Sequence, residues 1–269
     1  MFIRQLEQRQ QKANSLLCVG LDPQALKISS LNINLSDWLQ AIVDATAKHA
    51  CAFKPQIAHF SALAAEQQLH DIIEYIHLNY PDIPVILDSK RGDIGSTAER
   101  YAEEAFVRYQ ADALTVNPYL GGDTIEPYCQ YTDKGVVVLC KTSNRESGQL
   151  QDLLLESGQP LYLHVAQLAA GQWNKNNNVL LVVGATYPEQ LQAVREQVGN
   201  MPLLIPGIGA QGGDLAATLK AGLRNDGLGL IISASRSIIY AGDGADFSQQ
   251  AGDAGQQLKS AINEIRESL

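Results

Sequence analysis

Gly135-Val136-Val137-Val138-Leu139-Cys140 is an unbroken, largely β-branched apolar run with polar residues on both sides. A strand with one face in water alternates apolar and polar residues, whereas a strand covered on both faces does not. The run therefore reads as one strand of a parallel sheet clothed by helices. Working outward, seven similar runs occur at 16–21, 52–54, 85–90, 113–116, 179–183, 203–206 and 229–233. Stretches with helical spacing lie between and after them, at 37–50, 61–78, 98–109, 124–131, 161–173, 189–198, 214–223 and 251–268. Leu69, Ile72, Ile73 and Ile76 fall three and four apart, as one face of a helix requires. Strand then helix, eight times over in roughly 250 residues, is the arithmetic of an α/β fold of the (β/α)8 TIM-barrel type. A doubly wound open sheet is the alternative. No linker or low-complexity stretch divides the chain, so residues 1–269 read as a single barrel domain.

Composition narrows the function. Twenty Lys and Arg stand against 29 Asp and Glu, a net charge of −9. Phosphate backbones demand a broad basic footprint, so no nucleic-acid partner is expected. A small anion can still be held where a few cations and backbone N–H groups converge in one cleft. The four cysteines, Cys18, Cys51, Cys129 and Cys140, form no C-x-x-C pair, and three sit in apolar surroundings. They read as free thiols in a reducing compartment. The polar, Gln-rich segment 1–14 does not resemble a secretion signal, and no apolar run approaches a membrane span. The expectation is a cytoplasmic protein with no membrane partner.

In such a barrel the chemistry gathers at the C-terminal ends of the strands. Reading those ends in order gives Asp22, Lys54, Asp88 with Lys90, Asn117, Thr142 with Ser143, Gly184, Gln211 and Arg236. The densest cluster is Asp88-Ser89-Lys90-Arg91-Gly92-Asp93. Alternation along a strand sends Asp88 and Lys90 to one face, within ion-pairing distance. Gly92 permits a turn, and Asp93 is expected to begin the next helix, where a carboxylate suits the N-terminus. Alone, D-x-K-x-x-D could be a structural ion pair and a helix cap. Lys54 at the end of the preceding strand extends the pair into a network of alternating charge, and burying such a network suggests a use.

A second constellation is Pro206-Gly207-Ile208-Gly209-Ala210-Gln211-Gly212-Gly213-Asp214. It contains G-x-G-x-x-G after a strand and before a helix, but the acidic ribose reader of a dinucleotide site is missing about 20 residues on. Ile231, Ile232 and Ser233 stand there instead. A phosphate monoester fits better, because glycines bare backbone N–H groups and Arg236 after the next strand adds a guanidinium fork. The polar stretch 143–160 is read as a mobile loop over the site. The five histidines form no metal-ligand pattern, and no Walker loop or G-x-S-x-G occurs.

Taken together, Leu21-Asp22-Pro23, Phe53-Lys54-Pro55, Asp88-Ser89-Lys90-Arg91-Gly92-Asp93-Ile94, the stretch 207–214 and Ser235-Arg236-Ser237-Ile238 resemble the orotidine 5′-phosphate decarboxylases. Asn117-Pro118-Tyr119-Leu120-Gly121 and Lys141-Thr142-Ser143-Asn144 resemble a subfamily found in many bacteria, although Asn144-Arg145-Glu146 stands where proline and glycine are common. The resemblance implies decarboxylation of orotidine 5′-phosphate to uridine 5′-phosphate, the last step of de novo UMP synthesis, with no metal or other cofactor. It implies that Asp22 binds the ribose hydroxyls, and that Lys54 links the ribose to the charged network. Asp88 would lie beside the substrate carboxylate, and Lys90 would protonate C6. Asp93 and Thr97 would reach in from the neighbouring subunit of a homodimer with shared sites. Ser143 would contact the pyrimidine, and Gln211 and Arg236 the phosphate. Two other readings stand beside it. One is a related barrel of the keto-gulonate phosphate decarboxylase group that holds Mg²⁺ through D-x-K-x-x-D. The other is a phosphosugar-binding protein without turnover.

Overall fold

Alternate residues of every strand belong to two separate apolar clusters, and this division defines the architecture. The computed structural model describes residues 1–208 and 213–269. Its strands are β1 (Leu17–Leu21), β2 (Ala52–Pro55), β3 (Ile86–Arg91), β4 (Ala113–Val116), β5 (Gly135–Lys141), β6 (Val179–Val183), β7 (Leu203–Pro206) and β8 (Leu230–Ala234). They pair in parallel in the order β2-β1-β8-β7-β6-β5-β4-β3. The two ends of that order meet through Phe53 N–H on Pro84 O at 3.1 Å and the single parallel bridges Phe53–Val85 and Gln56–Asp88. The sheet thus closes into a (β/α)8 barrel whose weakest seam lies between β2 and β3.

Cys18, Ala52, Ile86, Ala113, Val137, Leu180, Val182, Leu204 and Ile231 fill the interior. Their strand neighbours Leu17, Val19, Phe53, Leu87, Leu114, Val136, Val138, Leu181, Ile205 and Ile232 face outward into the shell of helices. Burial on both faces explains the continuous apolar runs. The open-sheet alternative is set aside by the closure.

The helices depart from expectation in instructive places. The stretch 61–78 divides into Ile57–Ser61 and Glu66–Asn79, with Ala64 between them at φ 49°. The stretch 98–109 runs as an α-helix over Gly95–Glu103 and then widens to a π-turn over Glu104–Arg108. Segment 1–14, read only for its polarity, forms the helix Phe2–Ala13. Its few apolar side chains are well placed: Phe2 and Leu6 join the interior cluster and close the end of the barrel opposite the strand tips. Phe2 N–H donates to Asp133 O at 2.9 Å, and Gln10 Nε2 donates to Leu230 O at 2.8 Å. A Cβ at Gly135 would lie 2.5 Å from the Phe2 ring, so the glycine makes room for the plug. All four cysteines are buried free thiols. Among the described residues no helix is long and apolar enough to cross a membrane.

Because Phe2 is 1% exposed within the interior cluster, Phe2→Ala leaves a void in the barrel floor. Urea unfolding is expected to show a loss of roughly 3–5 kcal/mol, the usual range for a buried Phe→Ala change. A loss below about 1 kcal/mol would mean that the plug is dispensable.

Candidate active site

Four strands, β2, β3, β4 and β8, each carry one polar residue two positions beyond an interior apolar one. Lys54 follows Ala52, Asp88 follows Ile86, Thr115 follows Ala113, and Ser233 follows Ile231. The period-2 pleat therefore turns all four inward, at the C-terminal rim of the barrel. Lys54 Nζ lies 2.9 Å from Asp88 Oδ2, with side-chain exposures of only 8% and 11%. Lys90 Nζ lies 2.6 Å from Asp88 Oδ1 and is 44% exposed. Thr115 Oγ1 donates to Asp88 Oδ1 at 2.9 Å. Burial alone would raise the Asp88 carboxyl, but the ammonium groups of Lys54 and Lys90 hold it well below the usual carboxylate range. Burial likewise opposes the Lys54 charge, and Asp88 with Asp22 outweighs it, so Lys54 stays above its ordinary value. Lys54 and Asp88 are therefore both charged in the neutral range. Beneath them, burial pushes the Cys18 thiol up to about 12, which leaves it a neutral packing group.

Asp88 and Lys90 meet as anticipated, though not by simple alternation. The register of β3 against β4 slips between Leu87 and Arg91, and Lys90 sits at φ 52°. A left-handed backbone costs an L-residue about 1–2 kcal/mol. Thr115 offsets that cost: its Oγ1 accepts from the N–H groups of both Ser89 and Lys90 at 2.9 Å while donating to Asp88. Sequence reading passed over Thr115. The signal was a lone hydroxyl inside the apolar strand Ala-Leu-Thr-Val, two residues on from the inward Ala113.

Asp93 differs from expectation. The helix begins at Gly95, with Ile94 as its cap, and the Asp93 carboxylate accepts the Ile94 N–H at 2.8 Å. Gly95 at φ 52° makes the turn, so the chain needs one more left-handed residue before it can wind. Within one chain Asp93 forms no ion pair with Lys90 among the described residues, and Thr97 lies exposed on the same helix. Asn117 caps a short turn by accepting the Tyr119 N–H at 3.1 Å.

Lys54, Asp88, Lys90 and Thr115 line a cleft of about 460 Å³ together with Thr142, Ser143, Asn144, Gln151, Leu139, Val182, Leu204 and Pro206. Stretch 143–160 folds over this cleft and includes a short helical turn, Gly148–Gln151. Gln151, absent from the sequence reading, locks to Thr142: Thr142 N–H donates to its Oε1 at 2.9 Å, and its Nε2 donates to Thr142 Oγ1 at 2.8 Å. Gly184 is needed because a Cβ there would lie 2.7 Å from Ser143.

A second, adjoining pocket is lined by Asp22, Lys54, Pro206, Gly207, Ile208, Ser233, Ala234, Ser235, Arg236 and Ser237. Asp22 Oδ1 is buried there with no hydrogen-bond partner among the described residues, an unmet acceptor facing a pocket. The Asp22 backbone is fixed by Tyr240, whose hydroxyl donates to Asp22 O at 3.0 Å and accepts from Gln24 N–H at 2.7 Å. Arg236 opens the short helix Arg236–Ile239 and is exposed at the pocket edge. Gly20 allows this approach, since a Cβ there would meet Ser235 at 2.6 Å. Gln211 lies outside the described residues. Thus Asp22, Lys54, Asp88, Lys90, Ser143 and Arg236 converge on two adjoining pockets, while Asp93, just before the next helix, and Thr97, on it, line neither.

Known proteins match this chain over nearly its whole length. The sequence profile described as orotidine 5′-phosphate decarboxylase / HUMPS family matches residues 15–251. A Bordetella pertussis protein named orotidine 5′-phosphate decarboxylase is 52% identical over 98% of this chain and 99% of its own. One of the same name from Cellvibrio japonicus is 54% identical over the same shares. Among solved structures, Leishmania donovani OMP decarboxylase superposes with a TM-score of 0.86 at 41% identity, covering 98% of both chains. The strand-tip motifs, the closed barrel and these near-full-length likenesses agree, and the chain belongs to the orotidine 5′-phosphate decarboxylase / HUMPS family.

Proposed function

We propose that this barrel decarboxylates orotidine 5′-phosphate to uridine 5′-phosphate, the last step of UMP synthesis, without a metal or other cofactor. The observation that carries the reading is the buried row Lys54–Asp88–Lys90, whose outer ammonium opens into the cleft. Loss of carbon dioxide from C6 breaks the C–C bond and leaves its electron pair on a carbon with no π-system to receive it. A fixed ammonium beside C6 stabilises that charge as it forms and then supplies the proton. Lys90 has the reach and the exposure for this role, and solvent can restore its proton afterwards. Asp88, itself held by Lys54, fixes the Lys90 ammonium in place.

The remaining roles follow the two pockets. Asp22, with its unmet acceptor, takes a ribose hydroxyl beside Lys54. Arg236 takes the phosphate, with Gln211 as its partner. Ser143 contacts the pyrimidine from the loop. Asp93 and Thr97 complete the site of a neighbouring subunit in a homodimer; the exposed side chains Ile94, Tyr119 and Leu120 on the same rim suit such a contact. The Mg²⁺ alternative fits poorly. Both oxygens of Asp88 are already engaged by ammonium groups and a hydroxyl, and a cation would have to displace two positive charges. The sequence and its surroundings favour a cytoplasmic enzyme with no nucleic-acid or membrane partner.

The direct test is optical. EDTA-treated protein mixed with orotidine 5′-phosphate is expected to bleach the ultraviolet band of the orotate ring; if activity appears only when Mg²⁺ is restored, the cofactor-free reading is wrong.

Lys90→Ala and Asp93→Ala chains should each be inactive, because each loses an interaction felt in the transition state. When the two are mixed and allowed to exchange, half the dimers are hybrid and half of the hybrid sites are intact. About a quarter of wild-type activity should return. With exchange confirmed independently, absence of recovery places Asp93 within its own subunit's site or outside the chemistry.

Arg236→Ala should weaken orotidine 5′-phosphate binding about 30- to 1,000-fold, the penalty for an unpaired charged hydrogen bond, and leave orotidine itself nearly unaffected. Equal losses on both would move the phosphate site elsewhere.

A further inference from the structure

Lys141 is the most deeply buried charged side chain outside the row described above, and nothing in the chemistry uses it. It is 2% exposed at the last position of β5, where the register against β6 slips between Leu139 and Lys141. Its Nζ donates to Ser147 Oγ at 3.2 Å and to Asp152 Oδ1 at 2.8 Å. The rings of Tyr162 and Tyr187 flank it, with centroids 5.9 and 5.6 Å away. Taking an ammonium out of water is strongly unfavourable unless its surroundings compensate for the lost hydration. Here the compensation comes from Ser147 and Asp152 of the cleft loop, from Tyr162 on the following helix, and from Tyr187 beyond β6. The loop must fold down for the charge to be satisfied.

We propose that Lys141 is a positioning residue: its buried ammonium latches segment 142–152 over the cleft before ligand arrives, and so sets the affinity of the site. The two hydrogen-bonded loop residues, Ser147 and Asp152, bracket Gln151, which lines the cleft and is bonded twice to Thr142. Drawing 147 and 152 onto one point holds Gln151, Thr142 and the adjoining Ser143 in register with Asp88 and Lys90. Asp152 is 42% exposed, so the latch is dry at its cation and wet at its anion, and it can open without exposing a core. This rests on the proposed substrate for its kinetic consequence, but the latch itself is testable without turnover.

When only a fraction of molecules is binding-competent, apparent affinity falls by that fraction while the ligand-saturated state is unchanged. Lys141→Met keeps the length and removes the charge. Its KM for orotidine 5′-phosphate should rise about tenfold with kcat held within about threefold. Asp152→Asn should act in the same direction, and the double variant should be no worse than Lys141→Met alone, since that substitution already removes the contact with Asp152. Independently of substrate, the exposed Arg145–Glu146 bond of the ligand-free protein should be cut by trypsin about tenfold faster in either variant, because cleavage tracks the open population. Saturating uridine 5′-phosphate should restore protection. If Lys141→Met does not fold, Asp152→Asn carries both measurements. The proposal fails if Arg145–Glu146 stays as protected as in wild type, if kcat falls at constant KM, or if the two substitutions add. Wild-type protein without turnover would overturn the substrate reading instead, and the trypsin comparison would still decide the latch.

Discussion

Asp88 accepts three hydrogen bonds at the one seam of the barrel that the backbone leaves nearly open. β2 and β3 share only isolated bridges, and the Lys54–Asp88 contact spans them at 2.9 Å. The same carboxylate draws in Lys90, and through Thr115 it fixes the bulge that lets Lys90 turn toward the cleft. A buried ion pair is weak evidence for stability, since a well-packed apolar pair often does as well. Here its position matters more than its energy. It joins the edges of the closing sheet at the depth where the Lys90 ammonium stands, so closure of the fold and assembly of the charged row are one event.

How much of this could be read beforehand depended on which physical signal was local. The strands were legible because burial on both faces writes itself into consecutive residues, and the eight runs match the observed strands to within a residue or two. Lys54, Asp88 and Lys90 were legible because a charge directly after an apolar strand has few innocent explanations. The misses arose where structure depends on distant partners. The left-handed Lys90 and the delayed helix after Asp93 are set by Thr115 and Gly95, and no spacing rule announces a bulge. The terminal helix is mostly polar, and its purpose rests on Phe2 and Leu6 meeting strands more than 100 residues away. Gln151 and Lys141 sit in and beside a stretch read as mobile, where polarity hid a network that uses that polarity internally.

An acidic chain that handles an anion has to concentrate its cations. With 29 acidic and 20 basic side chains, the surface as a whole repels a phosphorylated carboxylate. Lys54, Lys90 and Arg236 nevertheless converge on two adjoining pockets at one end of the barrel. A low-dielectric cleft with few charges discriminates better than a uniformly basic surface, because the ligand must match their positions and not merely their sign.

The N-terminal helix also imposes an order on events during synthesis. Its residues leave the ribosome before any of the eight strands, yet Phe2 and Leu6 seal a chamber whose wall includes Ile231, and Gln10 bonds to Leu230 across 220 positions. Until β8 has been made, that helix has an apolar face and no cavity to fill. Contacts of such sequence separation make folding slow and leave the nascent chain dependent on protection from its own exposed surface. The cap that finishes the barrel is thus made before the strands it closes and is the last to find its place.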